Sequence, residues 1–224
     1  MSESPITLVR HRESTLATHA VLRNTYILLS LTLLFSAATA SWAMVSSAAP
    51  LNPFITLLGY FGLLFLTTRL RNSAWGLVSI FALTGFMGYT LGPILNIYLH
   101  HVSNGHQIVV SCLGATGFIF LTLSAYAVIS KKDFSFIGGF LMIGILVAFF
   151  MSLAAVLFHM PAGMMAASAM FVLLCSGLIL YKTSQIIHGG ETNYIMATTG
   201  VYMSLFNIFA NLLHLLMALS GERD

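Results

Sequence analysis

Residues 181–194 read YKTSQIIHGGETNY, a polar island with apolar runs on both sides: FVLLCSGLIL before it and IMATTGVYMSLFNIFANLLHLLMALSG after it. Gly189 and Gly190 accept the left-handed conformations that stop a helix, so a helix ending at His188 is expected. Thr192 or Asn193 can then cap a second helix. Glu191 falls near the new N-terminus, where the helix dipole favours a negative charge. Lys182, about one and a half turns before the stop, can extend its ammonium to an interface while its stem stays in oil. So short a turn forces the two helices to pack antiparallel. The string therefore reads as a hairpin between two membrane-length helices.

The rest of the chain agrees. Of 224 residues, 58% are hydrophobic and 7% charged, and the mean hydropathy is +0.93, far from the balance of a soluble domain. A helix needs roughly 20 apolar residues to cross the hydrocarbon layer. Segments 25–47, 54–70, 74–98, 107–130, 134–158, 162–187 and 194–219 meet that requirement. Pro50 and Pro53 close the first connection, Asn72 and Ser73 are placed to cap the third helix, Lys131-Lys132-Asp133 divides the fourth from the fifth, and Pro161 opens the sixth. The expectation is an all-α membrane protein of seven transmembrane helices. Its domains are a polar N-terminal tail (1–24), one membrane domain (25–219) and a short C-terminal tail (220–224).

Lysine and arginine resist translocation and collect on the cytoplasmic side. Arg10, Arg12 and Arg23 precede the first span, Arg69 and Arg71 follow the second, Lys131 and Lys132 follow the fourth, and Lys182 ends the sixth. In a seven-span chain these places face one side, with only Arg223 opposite. The N-terminus is expected inside and the C-terminus outside. The start of the chain shows no cleavable signal pattern, so the first apolar run is read as an anchor. The basic residues are scattered rather than gathered in a stripe, which argues against a nucleic-acid partner. The lipid bilayer is the partner that composition demands.

Chemistry-bearing residues are sparse. The acids are Glu3, Glu13, Asp133, Glu191, Glu222 and Asp224, and none falls in the middle of a span, where carboxylate relays and cation sites are built. Cys112 and Cys175 sit in apolar runs and behave as small hydrophobes. His100, His101 and His106 cluster beside span three without the spacing or partners of a zinc site, so an ordinary wet loop is expected there. No nucleophile elbow, metalloprotease helix or phosphate loop is present. No catalytic residue, metal or cofactor is therefore assigned. Glycines at 59, 62, 85, 88 and 92 are spaced for close helix packing.

Span seven carries Ser204, Asn207, Asn211 and His214 at spacings of three, four and three, one face of a helix. Such a stripe should turn toward protein or water. Interhelical hydrogen bonding is the favoured reading, and the wall of a polar passage is the alternative.

IIHGGETNY, with YKTS before it and VYMSLFNIF after it, resembles the signature of the Bax inhibitor-1 (transmembrane Bax inhibitor motif) family. The likeness extends to HAVLRNTYILLSLTLLFSA, GFMGYTLGPILN and KKDFSFIGGFL, and so covers nearly the whole chain. It marks His188, Gly189, Gly190, Glu191, Thr192, Asn193 and Tyr194 as the signature hairpin. It implies a seven-helix bundle with the last helix central and a cytoplasmic N-terminus. Many members hold a pair of aspartates near the ends of the last helices, linked to a pH-responsive calcium leak; here Lys182 and Ser204 stand at those positions. A lysine and a hydroxyl cannot share a proton or attract a divalent ion as two carboxylates do, so calcium is not an expected partner. Within the family the likeness is to bacterial inner-membrane members that modulate the membrane protease FtsH. It implies a non-enzymatic protein that binds and restrains the FtsH complex, or is slowly processed by it, with a calcium-leak-type or small-solute pathway as the alternative.

Overall fold

The computed structural model describes residues 5–102 and 104–221. Seven helices follow in order: α1 (Pro5–Val45), α2 (Pro53–Leu70), α3 (Trp75–His101), α4 (Gly105–Ser130), α5 (Gly138–Leu157), α6 (Pro161–Ile187) and α7 (Tyr194–Gly221). A single 3-10 turn (Ser135–Ile137) leads into α5. All seven are long and apolar enough to span a membrane, α1 from Thr18 onward. The segment before residue 25, expected as a polar tail, is helical from Pro5. Arg223 and the rest of the C-terminal tail beyond Gly221 lie outside the described residues.

Local signals account for most helix ends. Asn52 accepts the amide of Phe54 at 2.9 Å and Pro53 occupies the first turn of α2, where a missing N–H has no consequence. Pro161 does the same for α6. Ser73 accepts the Trp75 amide at 3.4 Å, but Asn72, also expected to cap α3, is spent elsewhere. The wet loop expected around His100, His101 and His106 is shorter than anticipated, because α3 runs through His101 and α4 starts at Gly105. Gly105 meets the Tyr98 carbonyl so closely that no Cβ would fit there.

α7 lies against α1, α3, α4 and α6, whereas α2 takes its main packing from α3 and α5 from α6. The last helix is thus central, as the resemblance implied, with α2 and α5 outside it. The largest core cluster joins Leu29, Leu83, Cys175, Ile179, Tyr202 and Ile208 from α1, α3, α6 and α7. Polar ties cross it. The Tyr202 hydroxyl meets Ser36 Oγ at 2.6 Å and donates to the Thr84 carbonyl at 3.2 Å, while Thr198 reaches the Thr25 carbonyl at 3.2 Å. Replacing Tyr202 with Phe removes both of its bonds and keeps the ring. A loss of about 1 kcal/mol in detergent unfolding is expected, since hydrogen bonds between membrane helices are individually weak. A loss below the resolution of the titration would show that the α1–α3–α7 contact rests on packing alone.

The glycine spacing is mostly a packing device. A Cβ on Gly88 would overlap the Ser36 carbonyl, and one on Gly92 would press on Ala40 and Ala43. Gly85 and Gly59 lie against the rings of Phe35 and Phe86. Gly62 differs from the expectation, facing open space.

Candidate functional site

The polar island ends α6 as its sequence suggests. His188 is the C-cap, and Gly189 follows with φ +74°. The Gly190 amide reaches the Gln185 carbonyl at 2.8 Å and the Gly189 amide the Ile186 carbonyl at 3.3 Å, the paired bonds of a Schellman stop. Of the two candidate caps for α7, Asn193 is the one used: its Oδ1 accepts the amides of Ile195 (3.0 Å) and Met196 (3.1 Å). Glu191 accepts the Asn193 amide at 2.9 Å. Lys182 and Glu191 form no ion pair among the described residues.

The hairpin does more than turn the chain. Asn193 Nδ2 donates to the Arg71 carbonyl and to Asn72 Oδ1, both at 2.9 Å, so one amide caps α7 and ties down the α2–α3 turn. On the other side, Ser184 Oγ, fully buried, accepts the Phe134 amide (2.9 Å) and donates to the Lys132 carbonyl (3.3 Å). Gln185 Nε2 donates to Ser135 Oγ at 2.7 Å. His188 Nε2 lies 3.1 Å from the Lys131 carbonyl. Asp133 accepts the Ser135 amide at 2.8 Å, and its hydrogen bonds to Ser135 hold its carboxyl below the usual carboxylate range. Three connections, 71–72, 131–135 and 188–193, thus converge on one joint. The same end of the bundle gathers the basic positions Arg71, Lys131 and Lys132.

Below the joint, α6 and α7 meet in a seven-residue register. The Lys182 stem covers Gly200, with its Cε 3.0 Å from where a Cβ there would sit, and two heptads along, Ser168 Oγ meets His214 Nδ1 at 3.0 Å. Seven residues make nearly two helical turns, so the two contacts fall on one face of each helix. Lys182 Nζ stands 5.8 Å from the Tyr181 ring centroid. Ser204 donates to the Gly200 carbonyl at 3.0 Å, so Lys182 and Ser204 converge on the same residue.

The polar face of α7 behaves differently from the interhelical network expected. Asn207 donates to the Met203 carbonyl and Asn211 to the Asn207 carbonyl, each at 2.8 Å, and Ser204 also bonds four residues back. Only His214 of the four reaches another helix. The reason is geometric: short amide and hydroxyl side chains find the carbonyl of the preceding turn without any partner helix.

Among the described residues no group of three or more His, Cys, Asp or Glu side chains is arranged to hold a metal. His100 Nδ1 is 3.0 Å from the Asn96 carbonyl of its own helix. Among the described residues two serine–histidine contacts occur, Ser168–His214 at 3.0 Å and Ser184–His188 at 3.4 Å. Neither serine is free to attack a substrate: Ser168 and Ser184 are both buried, and Ser184 already serves two backbone groups. A cavity of about 390 Å³ lies elsewhere, between α1 and α3, lined by Phe35, Trp42, Phe81, Phe86 and Tyr89.

These features define a class: a multi-pass, all-α membrane bundle whose polar groups tie three connections into one joint and link the last two helices. The family model described as "Inhibitor of apoptosis-promoting Bax1" matches residues 18–221. The chain belongs to the Bax inhibitor-1 family. It is 50% identical over 205 residues to the "Modulator of FtsH protease YccA" of Escherichia coli strain K12, covering 92% of this chain and 93% of that protein. An uncharacterized Pseudomonas aeruginosa protein is also 50% identical, over 90% of each chain. A Vibrio cholerae membrane protein is 42% identical, with 91% of this chain and 92% of that one covered.

Sequence reasoning named every residue of the 188–194 joint but not its partners Arg71, Asn72, Ser135 and Ser184. The KKDFS segment carried a resemblance, yet nothing local in it says that it folds over α6.

Proposed function

We propose that this protein is a non-enzymatic modulator of the membrane protease FtsH, which it binds and restrains in the inner membrane. The observation carrying this reading is the 50% identity, over nearly the whole of both chains, to a relative named for that role. The joint fits it: connections tied to one another by hydrogen bonds present a fixed surface to a partner. The topology proposed with it has a cytoplasmic N-terminus and a periplasmic C-terminus, resting on the clustering of Arg and Lys positions at the joint end.

A solute or calcium pathway along α7 is less well supported. Lys182 brings a positive charge to the α6–α7 seam, and the Asn207 and Asn211 amides are spent on their own helix. Calcium favours several oxygen ligands, commonly carboxylates, and neither Lys182 nor Ser204 supplies one.

The test is reconstitution of FtsH with a membrane substrate, with and without this protein. Slower substrate turnover in its presence, together with co-purification of the two from native membranes, is the expected result. Removing residues 2–18 should then weaken the restraint and slow the protein's own turnover while the bundle still inserts. Substrate turnover that ignores the intact protein would overturn the reading.

A further inference from the structure

We propose that the groove between α1 and α3 seats one acyl chain of a membrane phospholipid. Its volume of about 390 Å³ lies within the spanning parts of both helices. The mouth opens onto the apolar outer surface of the bundle, where Leu31, Leu34 and Val78 are exposed on the same two helices. The groove is thus continuous with the surface that the bilayer covers, and lipid is the medium that reaches it. Water gains little there. The lining is almost wholly apolar, and the Thr39 hydroxyl is already spent on the Ser36 carbonyl at 2.9 Å, whereas a buried water needs two or more polar partners.

The walls hold the groove open. Phe35 and Phe81 pack edge to face with centroids 5.5 Å apart, and the rings of Trp42 and Tyr89 lie 6.2 Å apart. The Phe35 ring occupies the place that a Cβ on Gly85 would take, and the Phe86 ring does the same at Gly59 of α2. Rings seated on glycine backbones and on one another are fixed by packing. An unfilled space beside them forfeits dispersion contacts, which a methylene chain restores.

Its dimensions select the occupant. Phe35 to Trp42 is seven residues along α1 and Phe81 to Tyr89 is eight along α3, so the groove runs roughly 11 Å at the helical rise. About 390 Å³ over that length leaves a cross-section of roughly 35 Å². A helix with its side chains is about 10 Å across, or roughly 80 Å². A partner helix or a second copy of the chain would therefore bridge the mouth without filling it, and an extended hydrocarbon chain enters. Residues 24–68 and 72–130 contain the whole lining and hold no Lys, Arg, Asp or Glu. The headgroup meets no charged side chain from them, so the chain and not the headgroup is recognised.

The full chain, reconstituted with equal amounts of phosphatidylethanolamine and phosphatidylglycerol and taken back into mild detergent, is weighed by native mass spectrometry. Roughly one phospholipid should stay bound per chain, with both headgroups retained alike, as expected of a single chain site. Ala82→Phe places a ring in the groove at an exposed position of its lining, and should lower retention about tenfold. Gly114→Phe adds a ring on α4 where nothing lies within 4 Å, and should retain the lipid as the wild type does. A phospholipid with a photoreactive group on its acyl chain tests the wild type in nanodiscs without any variant. Adducts should gather on Phe35, Thr39, Ala82 and Tyr89 rather than on the equally apolar outer face of α2 at Leu58 and Phe65. Retention unchanged in Ala82→Phe, retention of one headgroup alone, a bound second copy in place of lipid, or adducts spread evenly over α1, α2 and α3 would overturn the assignment.

Discussion

Replacing Asn193 with Ala should destabilise the bundle by about 2–3 kcal/mol in detergent unfolding, although the residue lies at its end and is only half-buried. One N-cap contributes about 1 kcal/mol, and each hydrogen bond to the Arg71 carbonyl and to Asn72 adds up to about 1 kcal/mol; solvent access argues for the lower part of that range. Asn193 uses both amide protons and both carbonyl lone pairs, so no other side chain replaces it. Asp keeps the cap but presents an acceptor to the Arg71 carbonyl, and should recover only the capping share. Thr192→Ala, at the neighbouring position that makes no cap, should change stability by less than about 0.5 kcal/mol. Equal effects at 192 and 193 would mean that the hairpin is only a turn and that the α2–α3 tie carries no energy. Hydrogen exchange at residues 71–73 should accelerate in the Ala variant and stay slow in the Thr192 variant.

Gly88→Ala should be at least as harmful, by about 3 kcal/mol, for a different reason. The added methyl meets the carbonyl oxygen of Ser36, a backbone atom that cannot rotate aside, and overpacking against fixed atoms forces the helices apart. Separation of α1 from α3 would also strain the Tyr202 bond to Ser36. Gly62→Ala is the matched control, since nothing lies within 4 Å of the new atom. It should leave stability unchanged or raise it slightly through better helix propensity. Similar losses at both positions would show that the glycines act through backbone conformation rather than close approach.

These two positions also show where sequence reading succeeds and stops. Gly59 and Gly62 look alike in the sequence, two glycines three apart in an apolar run, yet one faces Phe86 and the other faces open space. Spacing reports which residues share a helix face, not what that face meets. The polar stripe of α7 teaches the same point: periodicity puts its residues on one helix face, and Gly200 and His214 on that face meet α6. Whether Asn207 bonds outward or to its own helix depends on a rotamer, which periodicity does not carry.

Hydropathy, proline placement and the Gly189-Gly190 stop were enough, by themselves, to determine the membrane class, the seven spans and the antiparallel α6–α7 hairpin. Each of these depends on solvent transfer or on the φ angles available to a few neighbouring residues, and both are local properties. Only the tertiary structure decided that Asn193 and not Thr192 caps α7, that α6 and α7 mesh in a heptad register, and that residues 71–72 and 131–135 meet at 188–193. The contacts that bring 71–72 and 131–135 to the hairpin join residues separated by 50 to 122 positions. Most of their partners are backbone carbonyls and amides, which every residue type supplies alike.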